Sequence, residues 1–256
     1  MIRVAGIVLV LFVLVPAAAG TSTTRPPVAL SASPAHVTLA GSGQSTIRVT
    51  NSGNRPVLVD VTRAGFSLDL RGRPRISRPD GARAAGAWLT VRPHRLALGA
   101  GASSSLTVSS RVPRRAEPGD YDALVLLTTR PQQGLGLAVR MRIGVVVVVR
   151  APGRIVRRLE LGELRVRRAG RTRMLELLVA NRGNVTETLG RNQVDVVLLR
   201  QGRAQARLRP TAREVRPRTS GIVQFSYRGR LRGWVTARVR ISAGGAGVQR
   251  SFRIRL

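Results

Sequence analysis

Apolar and polar residues alternate along most of the chain, and two of the alternating runs end in a similar short phrase. A run that contains Val49 precedes Asn-Ser-Gly-Asn at residues 51–54, and a run that contains Val179 precedes Asn-Arg-Gly-Asn at residues 181–184. A period of two is typical of strands with one buried face, and Asn and Gly tolerate the positive φ of a tight turn between strands. The repeat predicts two related β-sandwich modules.

A second repeated phrase, Val-Arg-Pro at residues 91–93 and 215–217, supports the same division. Gly, Pro, Asn and Ser separate short alternating runs at intervals that favour an all-β fold with two immunoglobulin-like β-sandwich domains in tandem. We place domain 1 at residues 28–150 and domain 2 at residues 151–256, because Pro-Gly at 152–153 follows an intensely apolar run. The predicted strands of domain 1 are 37–39, 45–51, 57–62, 87–91, 104–110, 121–129 and 137–149. Residues 71–86 are predicted to form a loop.

The N-terminus has the three parts of a secretory signal: a positive residue at Arg3, an apolar stretch, and a small-residue cleavage site near Ala19. We therefore expect a signal peptide at residues 1–20 and a flexible leader at residues 21–27. The apolar stretch falls short of the roughly 20 residues that span a bilayer as a helix, so an uncleaved anchor is the less favoured alternative. The chain has no cysteine. The expected location is extracytoplasmic and associated with the cell envelope.

The charge is strongly one-sided, with 44 arginines, no lysine, 12 acids and a net charge of +32. A GC-rich genome explains arginine in place of lysine but not the shortage of acids. A protein with this charge attracts anionic polymers, so we expect an anionic polymer of the cell envelope, or another envelope protein, as the partner, with peripheral contact to a membrane as a further expectation. The oligomeric state is left open.

Arginine alternates with apolar residues in three runs of domain 2, which places the arginines on the outer face of their strands. If these strands are neighbours, the guanidinium groups form a cationic face, and Glu160, Glu163 and Glu176 lie close enough in sequence to compensate it. A solvated face and an anion-binding face both remain open. The candidate anion-binding residues are Arg165, Arg167, Arg238, Arg240, Arg253 and Arg255.

No residue pattern in the chain indicates catalysis. His36 and His94 lack the spacing of a metal site, and no phosphate-binding glycine loop or nucleophile elbow is present. Glu117, Asp120 and Asp122 cluster in a predicted turn, where we interpret them as solvating a loop. We therefore predict no catalytic, cofactor-binding or metal site and no enzyme. Aromatic residues are only 3% of the chain, which argues against specific nucleic-acid recognition because stacking platforms are missing.

Two phrases resemble those of exported bacterial immunoglobulin-like proteins. Residues 33–54 hold Ser-Pro-Ala-His-Val-Thr-Leu, a glycine turn and a strand that ends in Asn, and residues 113–121 hold Pro-x-x-Ala-x-Pro-Gly-x-Tyr. The arrangement resembles the peptidoglycan-binding domain of WxL-interacting cell-surface proteins and, more distantly, periplasmic pilus chaperones. The chaperone resemblance implies that the last strand of domain 1 is donated to a client protein. The candidate partner strand contains Leu137, Val139, Arg140, Met141, Arg142 and Ile143.

These observations predict a non-catalytic exported protein without cofactors. The first hypothesis is binding of an anionic or glycan component of the cell wall, or of another envelope protein. The alternative is a chaperone of the periplasmic type that acts by β-strand addition to secreted or pilus subunits, in which backbone hydrogen bonds supply affinity and alternate side chains fill pockets.

Overall fold

The computed structural model describes residues 26–81, 83–130, 140–243 and 246–256. The described residues form two β-sandwiches in tandem, which confirms the predicted all-β, immunoglobulin-like class. The predicted signal peptide and most of the leader lie outside the described residues. No helix within the described ranges is long and apolar enough to cross a membrane.

The first sandwich contains ten strands and one short 3-10 turn at Gly86–Trp88. Its strands are β1 (Leu30–Ser33), β2 (His36–Ala40), β3 (Gln44–Asn51), β4 (Val57–Leu68), β5 (Pro74–Ser77), β6 (Leu89–Arg92), β7 (Arg95–Leu98), β8 (Ser103–Ser110), β9 (Gly119–Thr129) and β10 (Arg142–Ala151). One sheet has the order β1-β3-β8-β6, and the other has the order β2-β10-β9-β4-β5, with β7 also paired to β4. The inward residues of both sheets, such as Ile47, Leu106 and Leu127, form one apolar core.

The second sandwich contains nine strands. These are β11 (Leu159–Ala169), β12 (Thr172–Asn181), β13 (Glu187–Leu189), β14 (Val194–Arg200), β15 (Arg203–Leu208), β16 (Arg213–Val215), β17 (Ser220–Tyr227), β18 (Trp234–Ala243) and β19 (Ala246–Arg255). The sheets have the orders β11-β12-β17 and β15-β14-β18-β19, and β13 pairs with β16 at one end. Phe225, Leu177, Leu198 and Ile241 are among the fully buried side chains of its core.

The repeated Asn-x-Gly-Asn phrase occupies equivalent places in the two sandwiches. Asn51 ends β3 and Asn181 ends β12, and both side chains are fully buried. The Asn51 side chain donates to the backbone oxygens of Arg55 (2.7 Å) and Gly99 (3.0 Å), and the Asn181 side chain donates to those of Val185 (2.8 Å) and Val215 (2.9 Å). Each asparagine therefore holds the loop that follows it against a segment remote in sequence, at Gly99 in the first sandwich and at Val215 of β16 in the second.

The reason for the repeated glycine differs from the predicted one. Neither Gly53 nor Gly183 has a positive φ. Instead, an added Cβ at Gly53 would lie 2.8 Å from the Pro27 oxygen, and one at Gly183 would lie 2.4 Å from the Val156 oxygen. The glycine is required because the chain segment that leads into the first strand of each sandwich passes directly over it.

Three of the local predictions need correction. The predicted strand 87–91 begins inside the 3-10 turn Gly86–Trp88, and its extended part is β6 from Leu89 onward. Residues 71–86, predicted as a loop, contain strand β5, which forms a hairpin with β4. The predicted strand 137–149 appears as β10 from Arg142 onward, and residues 131–139 lie outside the described part of the chain. The division of the domains between residues 150 and 151 stays a prediction; β10 ends at Ala151 and β11 begins at Leu159.

We expect Asn181→Ala to lower the free energy of unfolding by about 3 kcal/mol, because the buried oxygens of Val185 and Val215 and the N–H of Gly183 lose their partner. Asn54→Ala is the matched control, since the Asn54 side chain is exposed, and it should change this free energy by no more than about 0.5 kcal/mol. Urea unfolding of both variants measures the difference. Equal effects of the two substitutions would contradict the assigned role of Asn181.

Candidate functional site: the domain junction, the open edge of β10 and the arginine face

The two sandwiches meet where β9 begins. The backbone N–H of Asp120 donates to the Asn184 oxygen (2.8 Å), and the Asn184 side chain donates to the Pro118 oxygen (3.0 Å). Gly119, with φ of +123°, allows this approach, because an added Cβ would lie 2.1 Å from the Asn184 oxygen. The second Asn-x-Gly-Asn loop is therefore built against the start of β9.

Asp120 binds groups from both sandwiches. Its carboxylate, only 1% exposed, accepts two hydrogen bonds from Arg150 of β10, from Nε at 2.7 Å and from Nη2 at 3.1 Å. The backbone N–H of Thr186, in the second sandwich, donates to the same carboxylate at 2.8 Å. A buried carboxylate that has three donors is well satisfied, so Asp120 fixes the end of β10 and the loop before β13 relative to each other.

Asp122 and Arg216 form a buried ion pair between the sandwiches. Arg216 Nη1 lies 2.8 Å from Asp122 Oδ1, and Arg216 Nη2 lies 3.1 Å from Glu214 Oε2. The guanidinium also lies over the Phe66 ring, with 5.3 Å between Cζ and the ring centroid. Burial raises the pKa of Asp122 to about 6; the charge of Arg216 opposes this rise, and the nearby carboxylates of Asp120 and Glu214 reinforce it.

A second contact lies at the tip of the β4–β5 hairpin. The Leu70 oxygen accepts the backbone N–H of Ile222 (2.8 Å) and the side chain of Arg213 (2.8 Å). Arg71 donates to both carboxylate oxygens of Glu176 at 3.1 and 3.4 Å. Because the hairpin tip and the start of β9 both bind the second sandwich, the relative orientation of the two sandwiches is held at two places.

The interpretation of Asp120 and Asp122 as loop-solvating residues is wrong. Both carboxylates are buried and face cations that are remote in sequence, so the local pattern around Tyr121 does not reveal their partners. The repeated Val-Arg-Pro phrase carries a partial signal. Arg92 of the first copy is exposed, whereas Arg216 of the second is buried at the junction.

Strand β10 has an open edge over residues 142–145. It pairs with β9 along its whole length but with β2 only over residues 146–150, because the chain crosses to the other sheet before β2. In an antiparallel ladder, alternate residues direct their N–H and C=O groups away from the partner strand. The Thr129 N–H donates to the Met141 oxygen, so the backbone groups of Met141 and Ile143 face β9. The backbone N–H and C=O groups of Arg142 and Gly144 therefore point to the open side. No described residue hydrogen-bonds to them there.

The candidate partner-strand residues lie at or just before this edge. Leu137 and Val139 fall outside the described residues. Arg140 and Met141 directly precede β10, and Arg142 and Ile143 begin it. The side chains of Met141 and Ile143 pack against the core of the first sandwich, and Arg142 is exposed. Only the backbone and the side chains on the outer face are therefore accessible to a partner.

An apolar groove of about 440 Å³ begins beside Gly144 on the outer face of this sheet. Its floor is a second apolar cluster, separate from the sandwich core, and its far wall is the β4–β5 hairpin. Ile76 in that wall is exposed. The lining residues used below are Phe66, Leu68, Ile76, Leu124, Leu126 and Val146.

The six candidate anion-binding arginines do not form one face. All six are exposed, but Arg165 and Arg167 lie on β11, in the sheet opposite to that of the other four. Arg165 pairs with Glu163 (2.8 Å) and Arg167 with Glu176 (3.4 Å). The prediction that Glu163 and Glu176 compensate these charges is confirmed, whereas Glu160 pairs with Arg158 and Arg182.

The other four arginines share the outer face of β18 and β19, which we call the arginine face: Arg238, Arg240, Arg253 and Arg255. No two of them lie directly opposite each other, because the register places Thr236 opposite Arg253 and Ser251 opposite Arg238. None forms an ion pair with an acid among the described residues, although Asp195 of β14 lies directly opposite Arg240 in the register. The register of β18 and β19 therefore avoids the repulsion that arginines directly opposite each other on the two strands would cause.

No group of three or more His, Asp or Glu side chains that could hold a metal ion occurs within the described ranges. His36 is exposed and lies 3.9 Å from Glu214. The prediction that the chain has no cofactor or metal stays a prediction.

The chain resembles solved structures only at the level of the fold. A chain of a chaperone–tip adhesin complex of CFA/I fimbriae biogenesis is 13% identical, with a TM-score of 0.50 over 87% of this chain and 98% of that one. The YadV chaperone is 12% identical, with a TM-score of 0.49 over 88% and 99%. The Pseudomonas aeruginosa CupB2 chaperone is 13% identical, with a TM-score of 0.46 over 88% and 100%.

No family model matches the chain, and no curated protein sequence matches it. At these identities the resemblance shows two tandem sandwiches and nothing of the activity. The resemblance to WxL-interacting proteins is not tested by these structures and stays a hypothesis.

The buried pair gives the stability a pH dependence. Between the unfolded pKa of an aspartate, about 3.9, and the folded value of about 6, the folded chain retains a proton on Asp122 that the unfolded chain has lost. The free energy of unfolding therefore falls as the pH rises through this window, by about 3 kcal/mol from this carboxyl. Urea unfolding of the wild type and of Asp122→Asn is measured from about pH 4 to about pH 7. The difference between their free energies of unfolding should change by this amount across the range.

Asp60→Asn supplies a comparison of opposite sign. Hydrogen bonding to Arg130 lowers the pKa of Asp60, so its contribution to stability is lost as the pH falls rather than as it rises. Parallel stability curves for the wild type and Asp122→Asn would contradict the role given to Asp122.

Proposed function

We propose that the protein is a non-catalytic, extracytoplasmic binding protein that captures an extended segment of another exported protein by β-strand addition to β10. The observation that carries this proposal is the open edge at residues 142–145. A strand edge with unpaired N–H and C=O groups is a template for another chain, and soluble proteins usually cover or shorten such edges. Here the neighbouring strand β2 stops short, and no residue in the described ranges pairs with β10 over 142–145 on that side.

Backbone bonds alone would give weak capture. The N–H and C=O groups of Arg142 and Gly144 offer four hydrogen bonds, each with a net value of about 1 kcal/mol, which corresponds to a millimolar dissociation constant. Two client side chains buried in the adjacent groove would add about 2 kcal/mol each. The sum of about 8 kcal/mol corresponds to a micromolar dissociation constant before the cost of ordering the client.

The groove also defines the class of client. Its floor and far wall contribute Phe66, Leu124 and Ile76, and no described acidic residue lines it, whereas Arg142 stands at its entrance. A client strand that alternates apolar and polar residues would direct its apolar set into this groove. We expect clients with alternating Val, Ile or Leu, and we expect clients with basic residues near Arg142 to bind less well.

The fold supports this proposal. The solved structure with a TM-score of 0.50 belongs to a chaperone–tip adhesin complex. The doubly held domain junction also favours the proposal, because a rigid template loses little conformational entropy when the client binds. Binding of a glycan wall component finds less support, since no described groove carries exposed aromatic rings arranged for sugars.

Residue-resolved hydrogen exchange tests the open edge directly. The probe is a synthetic peptide of about twelve residues in which Val alternates with Thr. The peptide should slow exchange of the Gly144 N–H at least about tenfold, because the N–H becomes hydrogen-bonded to the added strand. Binding that protects other strand edges and leaves Gly144 unchanged would overturn the proposal.

Gly144→Pro and Gly144→Ala form a matched pair. Proline removes the N–H that faces the open side, so the affinity for the peptide should fall at least about tenfold. Alanine retains this N–H, and its Cβ would make ordinary contact with Leu124 at 3.4 Å, so its affinity should stay within about threefold of the wild type. Isothermal titration measures both affinities. Equal affinities of the two variants would argue against strand addition at this position.

A further inference from the structure

The arginine face has a charge that the acids of the chain neutralise only in small part. Ten of the 12 acids form ion pairs with arginines elsewhere, and Asp69 accepts the backbone N–H groups of Arg71 and Arg73. The one acid among the described residues of this sheet, Asp195, lies opposite Arg240 in the register but forms its ion pair with Arg207 of β15 at 3.0 Å. The positive field of Arg238, Arg253 and their two neighbours therefore extends into solvent.

The four arginines are spread over a sheet surface and do not converge on a point. Arg238 and Arg240 are two positions apart on β18, as are Arg253 and Arg255 on β19, and residues two apart in a strand are separated by about 6.6 Å. A convergent cluster suits a single small anion. An extended, nearly planar array suits a surface that carries many anionic groups, each contacted by one guanidinium.

An exposed tryptophan lies on the same face. Trp234 begins β18, is 56% exposed and lies opposite Arg255 in the register. The guanidinium of Arg253 lies 4.9 Å from the centre of its ring. Trp is enriched where proteins meet the boundary between lipid headgroups and acyl chains, because its ring is apolar and its N–H remains polar. Attraction to a soluble polyanion would not require this exposed ring.

We propose that the arginine face, together with Trp234, docks the protein on an anionic phospholipid membrane. The arginines contact lipid phosphates, and the indole enters the headgroup region. This surface belongs to the second sandwich, whereas the open edge of β10 belongs to the first, so docking is independent of client capture. The protein would hold its client at the membrane surface.

Vesicle co-sedimentation tests the proposal. The chain used begins at Thr21, because every described strand lies after this residue and the apolar N-terminal segment would itself bind lipid. Vesicles of phosphatidylcholine with about 30% phosphatidylglycerol are compared with vesicles of phosphatidylcholine alone. We expect strong partition to the anionic vesicles, weak partition to the neutral ones, and release in about 0.5 M salt.

Two variants with the same net charge distinguish the contribution of the arginine face to vesicle binding from the contribution of the total charge. Replacing all four arginines of the face by Gln should lower the partition coefficient at least about a hundredfold, because each arginine near an anionic surface contributes about fivefold. The control replaces Arg48, Arg92, Arg111 and Arg114 by Gln; all four are exposed, and no described ion pair contains them. The control should lose less than about tenfold. Equal losses would overturn the proposal.

Tryptophan fluorescence separates a membrane from a soluble polyanion. The chain has two tryptophans, so Trp88→Phe leaves Trp234 as the reporter. Its emission should shift to the blue with anionic vesicles and should be quenched by brominated lipids. Poly-glutamate serves as a soluble polyanion and should cause no shift. Binding to both probes without any change in Trp234 emission would mean attraction to any polyanion, a wall polymer included, and would contradict membrane docking.

Discussion

The start of β9 holds the two sandwiches against each other, through the hydrogen bonds of Pro118 and Asp120 to the second sandwich and the buried pair of Asp122 and Arg216. Charges removed from water are tolerated only when their partners remain in place, and loss of one partner from such a pair costs about 3–5 kcal/mol. Separation of the sandwiches would return both charges to water, but it would break the bonds from Asn184 and Thr186 to the start of β9. Each apolar cluster of the described residues lies within one sandwich, so the contacts described at the junction are mainly hydrogen bonds and ion pairs.

Strands β9 and β10 connect this junction to the proposed binding edge. Asp120 and Asp122 lie at the beginning of β9, and Arg150, which binds Asp120, lies near the end of β10. The two strands pair along ten residues, and the other end of the same ladder carries the open edge at residues 142–145. A client strand added there would extend the sheet that anchors the second sandwich, so the edge is presented on a rigid element.

Much of this architecture could be predicted from local pattern, because alternation and the Asn-x-Gly-Asn repeat depend on neighbouring residues. What could not be predicted depends on pairing over long distances: Asp122 and Arg216 are 94 positions apart. The six alternating arginines looked like one face because alternation gives the side of a strand and not the order of strands, and the structure places Arg165 and Arg167 in the opposite sheet. The close approach over Gly53 is likewise a tertiary contact.

Disulfide cross-linking of the alternating peptide tests the central claim of strand capture most directly, because the chain has no cysteine of its own. Arg142→Cys places a thiol at the open edge, and Thr90→Cys on β6 and Gln205→Cys on β15 place exposed thiols on other edge strands. Disulfides form only when the Cα atoms approach within about 7 Å. Each peptide carries one cysteine at a different position. The account predicts that Arg142→Cys forms cross-links with peptides whose cysteine is at alternate positions, and that Thr90→Cys and Gln205→Cys form few. Equal yields at all three edges would contradict it.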